Sequence, residues 1–296
     1  MNNRPEKTSK DFPAPVLEAF DQYVHGFIDR REFLSRASVF AVGTVTATTM
    51  LDALNPRYAG AEETSPADRS LKIESRVYRS PDDWNGYLVR PAFPAHKGKL
   101  PAVLVIHENR GRNPYVEDVA RRLGLAGFIA LAPDALTSFG GWPGNDDEGR
   151  EMMKKLDRAK MMKNWVAAVK YLQKLPDVGK VGAVGFCYGG SVVNSLATQV
   201  PDLKAGVAFY GSAPDLTQVN KIKAELQIHH GEKDTRLLAG APAYEAALNS
   251  AGVKFESYIY PGALHGFHNN TTPRYDESAA RLAWQRTIQF LRTRLS

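Results

Sequence analysis

Lys180-Val181-Gly182-Ala183-Val184-Gly185-Phe186-Cys187-Tyr188-Gly189-Gly190 is the stretch on which the fold turns. Lys180 to Val184 reads as a short buried strand, and Ser191 to Val200 as a helix. Glycines on both sides of the junction allow a sharp turn and a close approach of strand and helix. The only cysteine of the 296 residues stands at the tip of that turn, where a side chain projects into a cleft. This is the G-x-S-x-G nucleophile elbow with Cys in place of Ser. The alternative, a buried cysteine serving as a small hydrophobe, is disfavoured because partners for a nucleophile follow downstream.

Working outward, strands and helices alternate. Leu71 to Tyr78 and Trp84 to Arg90 read as two early strands joined at Ser80-Pro81-Asp82-Asp83. Pro101 to His107 is almost continuously apolar, as expected of a central parallel strand covered on both faces. A helix over Tyr115 to Ala126, a strand over Phe128 to Ala132 and one long helix over Glu148 to Leu175 precede the elbow. After it come strands at Lys204 to Tyr210, Glu225 to His230 and Phe255 to Tyr260, and helices at Gly240 to Ala251 and Asp276 to Arg294. The pattern predicts an α/β fold, a mostly parallel central sheet with helices on both faces. Residues 62–296 read as one domain, with no internal repeat and no low-complexity linker.

Residues 1–61 read differently. Val16, Leu17, Phe20, Val24 and Phe27 give Pro13 to Ile28 a helical apolar rhythm. Asp29-Arg30-Arg31-Glu32-Phe33-Leu34-Ser35 resembles the twin-arginine export motif, and Ala37 to Leu51 follows without a charge. That run is shorter than the roughly 20 apolar residues of a membrane span and suits the h-region of a signal peptide, so no stable membrane insertion is expected. Ala59-Gly60-Ala61 is an A-x-A-like cleavage site, which would start a mature, periplasmic or otherwise exported chain at Glu62. The other reading is a helical arm that stays on a cytoplasmic protein; the 29 residues before Arg30 are a long n-region.

One cysteine excludes a disulfide framework and a multi-cysteine zinc site. The net charge of +6 belongs to the body, because the leader has seven basic and seven acidic side chains. Without a dense Lys/Arg run interleaved with aromatics, no nucleic-acid partner is expected. The mild charge itself decides nothing, and a small-molecule substrate is the expected partner.

A cysteine nucleophile needs a base and a group that orients the base. Asp234 lies on the loop after the strand ending His229-His230, and His265 on the loop after Phe255 to Tyr260. Parallel strands bring these loops and Cys187 to one sheet edge. Their order, nucleophile, acid, histidine, is that of the α/β-hydrolase fold. His268 competes with His265, and Glu232 with Asp234, which could instead cap the helix that follows. His265 and His268 lack a third metal ligand at a telling distance, so no metal is expected. His107-Glu108-Asn109-Arg110-Gly111 follows the central strand; here, and just after the nucleophile, such folds form the oxyanion hole, from the N–H groups of Asn109 and Tyr188.

Residues 71–294 resemble the dienelactone hydrolases through His107-Glu108, Gly185 to Gly190, His230 to Asp234 and Tyr260 to Phe267, in that order. The resemblance implies Cys187 as nucleophile, His265 as base, Asp234 as its orienter, and Glu108 as a carboxylate that contacts the resting thiol and helps to activate it. It implies hydrolysis of a carboxylic ester or lactone through an acyl-thioenzyme, with no cofactor. A redox-sensing or non-catalytic protein using Cys187 as a reactive thiol is the rival reading. The family's lactone-cleaving members hold a substrate carboxylate with two arginines. One falls four residues after the catalytic histidine, here Asn269, and the other in a loop matching residues 135–147, which contain no arginine. Arg110, Arg112, Arg236 and Arg274 are the candidates to replace them.

Overall fold

The structure is a computed structural model that describes residues 7–93 and 98–296. Eight strands, β1 (Leu71–Tyr78), β2 (Trp84–Pro91), β3 (Leu100–Ile106), β4 (Ile129–Pro133), β5 (Val178–Phe186), β6 (Ala205–Phe209), β7 (Glu225–Gly231) and β8 (Phe255–Tyr260), form one sheet in the order β1-β2-β4-β3-β5-β6-β7-β8. β2 runs antiparallel to β1 and β4, and all other pairs are parallel. This is the α/β-hydrolase fold, as the alternation of elements predicts.

The apolar run of β3 is buried on both faces. Leu104 and Ile106 enter one core and Val103 and Val105 the other, following the two-residue period of a strand. Among the described residues ten α-helices accompany the sheet. Three precede it: α1 (Ala14–Val24), α2 (Arg30–Ser38) and α3 (Ala47–Leu54). Then come α4 (Pro114–Leu125), α5 (Asp146–Lys154), α6 (Arg158–Lys174), α7 (Tyr188–Gln199), α8 (Thr235–Leu238), α9 (Ala241–Ser250) and α10 (Glu277–Leu295). α6, α7 and α9 contribute to the first core, around Trp84 and Trp165; α4 and α10 contribute to the second.

The single helix expected over Glu148 to Leu175 is two. Asp157 leaves helical geometry and its carboxylate accepts the N–H of Lys160, capping α6. A short acidic side chain that satisfies free backbone donors starts a new helix here, although the apolar period runs on across the break.

Chain connections leave β3 and β5 in opposite directions, to β4 on one side and β6 on the other, while the two strands lie side by side. A crevice opens at the carboxyl ends of strands at such a switch point. The loop after β3 and the elbow after β5 are therefore neighbours.

The N-terminal helices have a hydrophobic core of their own. Phe12, Val16, Phe20, Phe33, Leu51 and Leu54 are buried in it, separate from both cores of the sheet. The uncharged run Ala37 to Leu51 is not continuous helix: α2 ends at Ser38, Val42 and Val45 pair as a β-bridge, and α3 begins at Ala47. No helix among the described residues is long and apolar enough to cross a membrane.

Candidate active site

Cys187 caps α7 with φ +55° and ψ −114°, a conformation costly for a side-chain-bearing residue, on the order of 1–3 kcal/mol. The turn holds it there: the Cys187 N–H donates to Phe209 O at 3.0 Å. A Cβ on Gly185 would strike the Gly189 carbonyl, and one on Gly189 the Ile106 carbonyl. Both glycines are thus required by close backbone approach, as the elbow reading supposes.

Asp234, after β7, and His265, after β8, meet at this edge. His265 Nδ1 lies 2.6 Å from Asp234 Oδ2, and both side chains are buried. Asp234 also accepts the N–H of Leu237, so it caps α8 while it bonds His265. His268 points elsewhere, with Nδ1 2.7 Å from the hydroxyl of Tyr115 and its ring stacked on Phe186. Glu232 is half-exposed and accepts the Gly262 N–H. His229 is buried and bonded to Tyr260 and Gln227.

A residue that the sequence did not point to completes the cluster. His25, just beyond α1, places Nε2 3.4 Å from Cys187 Sγ, and its ring lies 4.5 Å from that of His265, edge to face. Its Nδ1 donates to Asp21 O at 2.7 Å and lies 3.3 Å from the Asp21 carboxylate. Burial pushes the Cys187 thiol up, but His25 and His265 outweigh it and hold its pKa at about 5. Burial likewise opposes charge on His265, yet Cys187 and Asp234 raise its pKa to about 10. For His25, burial is again outweighed, by Cys187 and Asp21, and its pKa is raised. The two shifts favour an anionic sulfur beside cationic imidazole. The sulfur and a ring nitrogen from each histidine lie within 4.8 Å of one another, close enough to share a proton or a thiophilic cation.

Among the described residues, the hydrogen-bond and ion-pair partners of Glu108 are Asn269 and Arg110 rather than the thiol. The carboxylate accepts from Asn269 Nδ2 at 3.0 Å and pairs with Arg110 at 3.4 Å, all three side chains being buried. Arg110 also pairs with Asp146 at 2.8 Å, and Asp146 accepts the Tyr58 hydroxyl at 2.8 Å. Asn269 thus anchors this carboxylate where an arginine was expected to meet a substrate. His107 fixes the same loop: Nδ1 donates to Glu108 O at 2.5 Å and Nε2 accepts from Ala135 N. The Asn109 N–H has no backbone acceptor among the described residues, and Tyr188, as first residue of α7, has none within its helix. Both are free to bind an oxyanion. The Asn109 side chain donates to Val24 O at 2.6 Å, tying the loop to α1.

The cluster opens into a cavity of about 490 Å³. Its wall has Arg150, Lys154, Arg158 and Arg236 and no Asp or Glu. Of the four arginines considered from the sequence, only Arg236 lines it. Arg110 is committed to Glu108 and Asp146, Arg112 to Glu117, and Arg274 to Asp21. The cations of α5 and α6 stand in no motif that would mark them in the sequence.

The model of the dienelactone hydrolase family matches residues 84–295, and a model described as YqhI-like matches residues 4–42. A Synechocystis protein provisionally named carboxymethylenebutenolidase is 33% identical over 229 residues, 71% of this chain and 92% of that protein. A Bradyrhizobium protein provisionally named 2-oxo-3-(5-oxofuran-2-ylidene)propanoate lactonase is 34% identical over 228 residues, 71% of this chain and 89% of that protein. The crystal structure of a Klebsiella pneumoniae protein provisionally described as a dienelactone hydrolase superposes with a TM-score of 0.67 at 24% identity, covering 76% of this chain and 99% of that one.

Proposed function

The chain belongs to the dienelactone hydrolase family and is an ester or lactone hydrolase, and from that premise we propose that it works through Cys187, His265 and Asp234 by way of an acyl-thioenzyme. The observation that carries this reading is the bonded Asp234–His265 pair beside a thiolate on a strained elbow. The thiolate attacks the carbonyl carbon and a C–S bond forms. The carbonyl oxygen takes the electron pair and is received by the N–H groups of Asn109 and Tyr188; loss of one comparable donor raises a barrier by about 3 kcal/mol. Collapse breaks the acyl C–O bond, and the leaving oxygen takes a proton from His265. Water then gives a proton to His265 and attacks the thioester, the sulfur leaves as thiolate, and the acid is released.

The cationic wall supports a substrate that carries a carboxylate besides the bond to be cut. The propanoate in the name of the Bradyrhizobium relative agrees with that charge. Cys187→Ala is expected to abolish turnover of a simple aryl ester while the circular dichroism stays that of the parent. Unchanged turnover would overturn the proposal. A redox-sensing thiol draws on the same low thiol pKa but needs no base: thiol oxidation surviving His265→Ala, with no ester ever cleaved, would favour it.

A further inference from the structure

A histidine from outside the sheet stands against the sulfur. His25 Nε2 reaches Cys187 Sγ at 3.4 Å, and a ring nitrogen of His265 lies within 4.8 Å of the same sulfur. His25 is also oriented as a working histidine is. The Asp21 carbonyl and carboxylate hold Nδ1, which leaves Nε2 for the sulfur, the same device by which Asp234 presents His265. Asp21 is itself fixed, by Arg274 at 3.6 Å and Arg236 at 3.8 Å. Asn109, on the loop after β3, grips Val24 O one residue before His25. Two further cationic groups face the imidazole, Arg236 at 3.3 Å from Nε2 and the His265 ring at 4.5 Å, and among the described residues that line this cavity the sulfur is the one group that can carry a negative charge beside Nε2.

We propose that α1 to α3 are a working part of the active site, and that His25 is the positioning residue which holds the resting sulfur. This rests on Cys187 being the nucleophile. It takes over the task that the resemblance gives to Glu108, whose carboxylate is engaged by Arg110 and Asn269. The arm is built to deliver one side chain accurately. It has its own core, its carbonyl at Val24 is anchored to the oxyanion loop, and Arg150 stacks over Tyr23 at 5.0 Å while Arg30 pairs with Asp147 at 3.5 Å. The arginine that opens the export-like motif is therefore engaged with the body. Chain cleavage after Ala61 would remove His25, so the proposal takes the arm to be retained.

The test uses the full chain and the rate at which iodoacetamide alkylates its one thiol at neutral pH. His25→Ala is expected to slow alkylation and ester turnover at least tenfold each, and added imidazole to restore part of both while leaving the parent unchanged. His25→Gln, which keeps a side chain of similar reach, guards against a loosened arm: with parental circular dichroism and thermal midpoint it should still be slow, and be rescued less than His25→Ala. Parental or faster alkylation in both variants would overturn the proposal, as would a mature protein whose intact mass begins at Glu62. A Cys187→Ala protein that still cleaves esters, alongside a His25→Ala protein slow to alkylate, would overturn the hydrolase mechanism and with it the catalytic part of the arm, and would leave only the hold of His25 on the thiol.

Discussion

Cys187 combines a backbone conformation that side chains avoid with a charge that burial disfavours, and both are held by neighbours named above. The charge has a measurable signature. A free cysteine gains nucleophilicity around pH 8.5, whereas this thiol, with its pKa at about 5, should reach half of its alkylation rate near pH 5. The sign follows from the group: its pKa is depressed, so the anion persists above that value and is lost below it. At the other limit His265, raised to about 10, sheds its proton only near pH 10, so a hydrolysis profile should be broad rather than centred on an ordinary histidine. An alkylation midpoint near 8.5 would contradict this. Cys187, Asp234 and His265 were legible because each sits in a motif at a strand end. His25 was not, because nothing local marks a histidine whose partner is 162 residues away.

For the elements, the strands were readable from apolar runs and turn residues, and β8 falls on the expected Phe255 to Tyr260. The arm was harder. A run of Ala, Val and Thr without charge looks alike in an h-region and in a small helical core, because composition does not say what an apolar face is packed against. Likewise the apolar period of Glu148 to Leu175 continues over Asp157, and only the cap shows the break. The separate core of the arm makes a prediction. Phe33 is fully buried in it, and Phe33→Ala should cost about 3–5 kcal/mol, much of what a small core can supply. Limited trypsin digestion should then cut at Arg30, Arg31 or Arg36 while the body keeps its thermal midpoint. Equal resistance of variant and parent would show that the arm does not depend on that core.

Across the whole molecule, the net charge of +6 is spread too thinly in the sequence to indicate a site. Folding gathers four cations on one wall, from α5, α6 and α8. Partly open charges are sensitive to salt: going from about 0.01 M to about 0.15 M shortens the screening length from about 30 to about 8 Å. KM for a carboxylate-bearing lactone should therefore rise several-fold over that range, and KM for a neutral aryl ester should hardly move. Arg158→Gln should reproduce part of the rise at low salt with little change in kcat. Equal salt dependence for both substrates would count against the cationic wall as the recognition surface.

The buried polar chain from Asn269 through Glu108, Arg110 and Asp146 reaches Tyr58, whose hydroxyl also accepts from Asn113 Nδ2. It also decides where this polypeptide tolerates shortening. A chain begun at residue 55 loses the three helices yet keeps the Tyr58 hydroxyl on Asp146. One begun at residue 62 strips that donor from a buried carboxylate, a loss of about 1–3 kcal/mol that no amount of body packing restores. Two truncations seven residues apart should thus differ in thermal midpoint, the longer being the sounder scaffold for crystallisation or for grafting another N-terminal unit.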